Sequence, residues 1–332
     1  MRADVALIGY GNVARRFERM LDEQREALAQ EYGLSCNIVA TATSRGAAAG
    51  GKPCANSFEA IQYLAASSAE LRIVVEVSPL NVTDGEPALS HIRSAIASGA
   101  HVVTANKGPV AFAYHELHEA AQKAGLSFLF EGTVMDGVPV FNLVRETMPA
   151  VRVAGFEGVI NTTTNHILTA MERGVPFADA LAQMQADGIA EADASLDVDG
   201  WDAAAKTAVL ANVLMDARIT PADVERTGVS EGDRAAVNHA KKRGRRLKLV
   251  ASARRGAGGT IAARVGLREL PATHLLAGLD GAANALILHT DLLDRIALYQ
   301  LSGDLTQTAY AILSDVITIA RRARKGRRRR PR

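Results

Sequence analysis

Cysteine is scarce in this 332-residue chain, which holds only Cys36 and Cys54. Two cysteines outside any CxxC pair do not make a disulfide scaffold or a thiolate metal site, and they agree with a reducing compartment. Aromatic residues are equally sparse, at 5% with a single Trp. None is interleaved with the basic runs, so the stacking platforms used by single-strand nucleic-acid binders are missing. No apolar run approaches the ~18 residues needed to cross a bilayer. Met1 to Tyr10 holds one Arg and passes directly into an apolar segment and a glycine turn. A secretory h-region and cleavage site are absent there, so the expectation is a cytoplasmic protein.

What is present is an ordinary globular composition, 48% hydrophobic and 22% charged, long enough for two cores. The net charge of +2 hides an asymmetry. Residues 321–332 carry nine basic side chains, and removing these from the 38 in the chain leaves 29 against 36 acids. Attachment to nucleic acid is one reading of such a tail. The simpler one, adopted here, is a solvated, disordered terminus beyond the last helix. A second basic run, Lys241–Lys248, is expected on an exposed helix face.

Short apolar runs alternate with amphipathic segments through the first half. Val5–Ile8, Asn37–Thr43, Ile73–Val77, His101–Thr104 and Ser127–Phe130 read as strands. Val13–Ala29, Phe58–Ala65, Pro87–Ser98 and Tyr114–Ala124 read as helices. That alternation predicts a doubly wound, mostly parallel sheet. The rhythm then changes: Val151–Asn161, Arg245–Ser252, Thr260–Leu267 and Ala285–His289 read as strands of a separate antiparallel sheet. Helices are expected at Ile167–Arg173, Phe177–Ala186, Ala203–Ala217 and Thr308–Ala320. The predicted organisation is α/β, with a first domain over 1–135 joined by a C-terminal helix over 304–320. A second, α+β domain covers 136–303.

Gly9-Tyr10-Gly11-Asn12-Val13-Ala14 follows a strand and opens a helix, the setting in which a GxGxxA sequence binds a dinucleotide. Gly9 permits the tight turn, Gly11 admits the pyrophosphate, and Ala14 lets helix and strand pack closely. The domain is therefore read as Rossmann-type, with backbone at Gly9, Gly11, Asn12 and Val13 facing the phosphates. The second strand ends Ala40-Thr-Ala-Thr-Ser44-Arg45 without the acid that would hold a ribose 2′-hydroxyl. Arg45 suits a 2′-phosphate instead, favouring NADP over NAD, with a plain solvated loop residue as the alternative. Ser78 and Lys107 follow two later strands, on the edge where ligands of such sheets bind.

Residues 188–206 are rich in acids. Asp202 and Lys206 lie four apart at the start of an alanine-rich helix and so share a face. A surface ion pair would explain that spacing, as would a site for a substrate bearing an ammonium group. Spaced acids could also suggest calcium, but the EF-hand glycine and ligand order are absent.

Several of these stretches together resemble the homoserine dehydrogenase family. They are GYGNVA at 9–14, VVTANKGP at 102–109, EGTV at 131–134, GVINTTTNHIL at 158–168 and GIAEADASLDVDGWDAAAKTAVLA at 188–211. The last is close to the family's GYAEADPxxDVxGxDAxxK pattern. The resemblance implies reversible, NADPH-dependent reduction of L-aspartate 4-semialdehyde to L-homoserine in threonine and methionine biosynthesis. It implies Lys206 as the acid that protonates the carbonyl oxygen and Lys107 as a second catalytic or nicotinamide-contacting lysine. Glu191 and Asp202 would bind the substrate, with Asp197 in support, and Gly188 and Gly303 would approach the cofactor. Glu131 and the carbonyls of Val134, Asp136 and Val138 would match a sodium site. A homodimer through the second domain's sheet is also implied. Because the chain ends soon after the last helix, no C-terminal regulatory domain is expected.

The sequence departs from the family at Met135 and Asp136, at Thr162 in place of a glycine, and at Ser302-Gly303-Asp304 in place of a GxGAG segment. These departures keep two rivals in view: a relative acting on another small amino- or oxo-acid, and a non-catalytic NADP-binding sensor.

Overall fold

The first sheet is built from β1 (Arg2–Ile8), β2 (Ser35–Thr43), β3 (Gly46–Ala49), β4 (Lys52–Cys54), β5 (Leu71–Glu76), β6 (His101–Thr104) and β7 (Phe128–Leu129). Its order is β4-β3-β2-β1-β5-β6-β7. The five strands from β2 to β7 in that order run parallel, whereas β3 and β4 pair antiparallel beside β2. β1 is buried at every residue after Arg2, as the centre of a doubly covered parallel sheet must be. Its helices are α1 (Asn12–Glu23), α2 (Arg25–Tyr32), α3 (Ser57–Ala65), α4 (Ala88–Ala97) and α5 (Lys107–Lys123). The structure, a computed structural model, describes all residues except Gly188, Ile189, Glu191, Ala192 and 329–332, and only the backbone of 326–328.

The second sheet follows α6 (Val140–Asn142). It contains β8 (Val153–Val159), β9 (Glu225–Arg226), β10 (Arg245–Arg255), β11 (Ile261–Pro271), β12 (Asn284–Thr290) and β13 (Arg295–Gln300), in the order β13-β12-β8-β10-β11-β9. All pairings are antiparallel except β11 with β9. Its helices are α7 (Thr162–Glu172), α8 (Phe177–Ala186), α9 (Ser195–Val198), α10 (Trp201–Met215) and α11 (Arg234–Lys242), and α12 (Leu305–Arg328) closes the described chain. The α/β class and the mostly parallel first sheet are those read from the sequence, whereas the second sheet, expected to be antiparallel, is made mixed by the parallel pairing of β9 with β11.

The chain divides into one unit of Met1–Pro139 with Asp304–Arg332 and another of Val140–Gly303. The first boundary lies four residues beyond the expected one because 136–139 pack against the start of α12. Asp136 Oδ1 accepts from Thr308 Oγ1 at 3.0 Å, and a Cβ on Gly137 would stand 2.9 Å from the Gln307 carbonyl. α12 returns to that core through Ala309, Ile312, Val316 and Ile319, which bury against Phe17 and Leu21 of α1. It also runs past Ala320, where the sequence predicts its end, because two tail arginines find partners on α2. Arg321 stacks over the Tyr32 ring at 5.0 Å, and Arg324 Nη1 donates to the Tyr32 carbonyl at 2.8 Å. Arginine is a good helix former, and its charge complements the C-terminal dipole.

Other elements depart from the sequence reading. The helix expected over Val13–Ala29 is broken at Gln24, which leaves helical geometry with its N–H on the Met20 and Asp22 carbonyls. β3, β4, β9 and β13 are unforeseen, β3 because Gly-Ala-Ala-Ala carries no strand signal. Lys241–Lys248 is not one exposed helix face. α11 stops at Lys242, and β10 alternates Leu247, Leu249 and Ala251 against Lys248 and Val250, with both rows covered. Lys248 is consequently fully buried, its ammonium donating to Asn165 Oδ1 at 2.8 Å and to the Leu279 carbonyl. Among the described residues no helix is long and apolar enough to cross a membrane.

Burial, assisted by the Arg246 charge, pushes the Lys248 ammonium down to about 8 from an ordinary 10.5. Between those values the unfolded chain holds a proton that the folded chain has released, so this group makes stability rise with pH across that window. In Lys248→Met that contribution disappears. Urea unfolding from pH 7 to pH 11 should show wild type gaining about 3 kcal/mol relative to the variant; parallel pH profiles would show that Lys248 keeps its proton on folding.

Candidate active site

On the first unit, β1 delivers the chain into a turn that only glycine can make. Gly9 has φ +93°, and a Cβ there would lie 2.4 Å from the Ser78 nitrogen and 2.5 Å from the Val77 carbonyl group. Its own N–H donates to the Ala42 carbonyl at 2.8 Å, which ties the turn to β2. Gly11 is different: it caps α1 in extended geometry, and a Cβ there would meet nothing within 4 Å. Asn12 and Val13 form the first helical positions, where N–H groups have no intrahelical partner. Ala14 is fully buried. The result is an open space over a helix N-terminus, suited to a pyrophosphate. Tyr10, between the glycines, donates its hydroxyl to Glu18, which holds the phenol above its usual range.

The neighbouring strand ends are fixed by a buried carboxylate. Glu76 is fully buried, and its Oε1 accepts from the Ser78 N–H at 3.2 Å and from the Ser78 hydroxyl. Asn106 caps α5, its Oδ1 accepting from the Gly108 N–H at 2.9 Å while its Nδ2 donates to the Ser78 carbonyl at 3.0 Å. Lys107 is therefore the first residue of a helix, where the sequence reading began the helix only at Tyr114. The Asn106 cap and a proline tolerated in the first turn carry the helix back to Lys107, and Ala113 kinks it (φ −142°, ψ 27°). Arg45 is exposed, in the turn between β2 and β3, with its N–H donating to Thr43 Oγ1 at 3.1 Å.

Glu131 and Val134 are buried in the segment that follows β7, and the Glu131 N–H donates to Asp315 Oδ2 at 2.9 Å. Asp136 takes the left-handed conformation, φ +45°, that aspartate tolerates better than most residues, and Met135 beside it is buried. The Val138 N–H donates to the Met135 carbonyl at 2.9 Å. A hard cation suits such an all-oxygen set of one carboxylate and backbone carbonyls. Among the described residues, no cluster of three or more His, Cys, Asp and Glu side chains could hold a metal.

On the second unit, three of the acid-rich residues converge. Lys206 Nζ lies 3.0 Å from Asp202 Oδ2 and donates to the Ile160 carbonyl at 2.8 Å. The two side chains are 16% and 13% exposed, so this is not a solvated surface pair. Asp197, on α9, accepts from Asn161 Nδ2 at 2.7 Å and from Thr163 Oγ1 at 2.8 Å. Asp193 and Asp199 are exposed instead, and Asp193 accepts from the Ser195 side chain and from its N–H, which together lower its pKa. Gly188 and Glu191 lie outside the described residues.

Ile160, Asn161 and Thr163 hold this cluster, yet sequence reasoning gave them no role. The signal was the GVINTTTN stretch itself, but their contacts to Asp197, Asp202 and Lys206 span 34 to 46 residues. Thr162, which stands where the family has glycine, is absorbed by a hydrogen bond from Asn284 Nδ2 at 3.0 Å. Gly303 is the last residue of the second unit, and Asp304 Oδ1 accepts from the Gln307 N–H at 2.8 Å as α12 begins.

An anion cradle at the head of α1, in a sheet of this order, marks a dinucleotide-binding domain. A half-buried lysine paired with a carboxylate on the other unit suits proton transfer, and together they define a two-domain nicotinamide-dependent oxidoreductase. The family comparisons give the finer assignment. The model described as homoserine dehydrogenase matches residues 139–317, and that of the homoserine dehydrogenase NAD binding domain matches 9–131. The chain is 35% identical to an NAD(+)-dependent homoserine dehydrogenase of Pseudomonas canavaninivorans, over 95% of each sequence. It is also 35% identical to the homoserine dehydrogenase of Sulfurisphaera tokodaii, over 95% of this chain and 98% of that protein. A homoserine dehydrogenase structure from Thiobacillus denitrificans superposes with a TM-score of 0.86 at 31% identity, covering all of this chain and 76% of that one. The chain belongs to the homoserine dehydrogenase family, oxidoreductases acting on a CH–OH group.

The two glycines of the turn predict opposite outcomes. Gly9→Ala must push Ser78 and Val77 away at a positive φ, and thermal unfolding should show a loss of at least about 1 kcal/mol. Gly11→Ala meets only open space and should leave Tm within error of wild type. Equal Tm values for both variants would refute the turn geometry.

Proposed function

We propose that the chain catalyses reversible reduction of L-aspartate 4-semialdehyde to L-homoserine, the step that supplies threonine and methionine synthesis, with NADPH as its preferred reductant. The observation that carries this reading is the half-buried Lys206–Asp202 pair, in a chain whose family acts on a CH–OH group. When bound, the reduced nicotinamide supplies the hydride. Lys206 gives a proton to the carbonyl oxygen as that hydride reaches the carbonyl carbon, and in reverse its neutral amine takes the alcohol proton. Asp202 and the Ile160 carbonyl aim the Lys206 ammonium. Asp202 and Glu191 take the substrate's ammonium group, with Asp197 supporting them, and Lys107 serves as the second lysine.

Gly9, Gly11, Asn12 and Val13 hold the pyrophosphate, and Ser78, Gly188 and Gly303 complete the nucleotide contacts. Arg45 reads the 2′-phosphate from an exposed turn that carries no competing carboxylate, since its neighbours are Thr43, Ser44 and Gly46. Glu131, with the carbonyls of Val134, Asp136 and Val138, holds sodium. Two copies pair through the sheet of the second unit.

Turnover of aspartate semialdehyde with NADPH tests the reading directly, and its absence would leave the oxo-acid and sensor alternatives. Lys206→Ala should lower the single-turnover hydride-transfer rate by ~10²–10⁴, with cofactor affinity and Tm nearly unchanged. Near-wild-type transfer in that variant would move the proton-transfer role to Lys107. For the nucleotide, Arg45→Ala should cost NADPH about 1.5–3 kcal/mol of binding and leave NADH almost untouched. Equal losses for both cofactors would mean that Arg45 does not distinguish them.

A further inference from the structure

We propose that Asn161 is a positioning residue for the reacting lysine, a role that rests on the reading of Lys206 given above. Asn161 is buried and caps α7 in extended geometry. Its side-chain oxygen accepts from the Thr164 N–H and from Thr164 Oγ1, both at 2.9 Å. Its nitrogen donates to Asp197 Oδ1 at 2.7 Å and to Asp202 Oδ2 at 3.0 Å. The orientation of this amide is not ambiguous. A backbone N–H can only donate and ionised carboxylates can only accept, so a flipped amide would oppose like groups at both ends.

Both donors and both acceptor directions of the amide are thus in use. The oxygen of Asp202 that takes one of those donors is also the oxygen that faces Lys206 Nζ. The second contact of Lys206 is the carbonyl of Ile160, the residue before Asn161. Asn161 therefore governs two of the contacts that aim the ammonium, one through Asp202 and one through the adjoining backbone. It also draws two like-charged carboxylates toward one point, where the partial positive charge of its NH₂ offsets their repulsion. Aspartate has the same shape without the donors, serine offers one donor at shorter reach, and glutamine is longer by a methylene. Only asparagine meets both demands at this position.

The exchange of Asn161 for aspartate separates positioning from simple helix capping, because the two residues are equivalent at an N-cap. If capping is all Asn161 does, Asn161→Asp should keep wild-type Tm, kcat and homoserine KM. If it positions Lys206, the variant should keep its cofactor KM while kcat falls about 10²-fold, the scale of a 1 Å misplacement of a catalytic group. Homoserine KM should rise in the same variant. Should a third buried carboxylate prevent folding, Asn161→Ser still caps α7 and retains one donor, and its kcat should fall at least tenfold with Tm near wild type.

A crystal structure of the serine variant supplies a readout independent of turnover. Displacement of Lys206 Nζ from the Ile160 carbonyl or from Asp202 supports the proposal. An unmoved ammonium overturns it, as does a folded Asn161→Asp protein with wild-type kcat and homoserine KM. A wild-type enzyme inert toward homoserine would instead remove the functional reading, while the crystal structure would still decide the geometry.

Discussion

One carboxylate oxygen, Asp202 Oδ2, receives an amide N–H from Asn161 and faces the ammonium of Lys206, each at 3.0 Å. The local architecture of the second unit follows from satisfying that atom. α10 must begin at Trp201 so that Asp202 and Lys206 stand one turn apart on one face. β8 must end where Ile160 and Asn161 can present a carbonyl and an amide to them. α9 must bring Asp197 to the other hydrogen of the same amide. Alanines at 203, 204, 205, 208 and 211 are all buried and let α10 pack closely, so the helix that carries the lysine is held by its own packed face.

The first unit obeys a different constraint. Here the critical group is the backbone at Gly9, where any side chain would strike the Val77–Ser78 backbone. That close approach is what Glu76 and Asn106 maintain from below, by tying Ser78 from its N–H, its hydroxyl and its carbonyl. A glycine that is needed for clearance thus lies beside one, Gly11, needed for the space above it. The sequence motif contains both without saying which does which, and the space around each glycine separates the two.

Much of this was legible in the residues. Alternating apolar runs placed the parallel sheet, the GxGxxA sequence placed the glycine turn at the head of α1, and the four-residue spacing of Asp202 and Lys206 placed both on one face. Local patterns suffice where the determining contacts are local. They fail where burial is decided by what packs from elsewhere. The basic run around Lys248 looks solvated, but alternation along β10 turns it inward onto Asn165 and the Leu279 carbonyl. The alanine-rich β3 has no strand propensity and exists because it pairs with β2. Asn161 read as part of a matched motif, and its purpose depends on partners 36 and 41 residues away.

Three lysines illustrate why neither exposure nor burial alone marks a reacting group. Lys248 is fully buried with two neutral oxygens as partners, and burial drives its ammonium down to about 8. A group so enclosed can change protonation state, but nothing the size of a substrate reaches it. Lys107 opens α5, where the helix dipole opposes a cation and would favour an anionic neighbour instead. Lys206 is the intermediate case: 16% of its side chain remains accessible, and its contacts include a carboxylate and a carbonyl. Those acceptors fix where the ammonium points without closing it off, and the proton transfer proposed for Lys206 requires both properties.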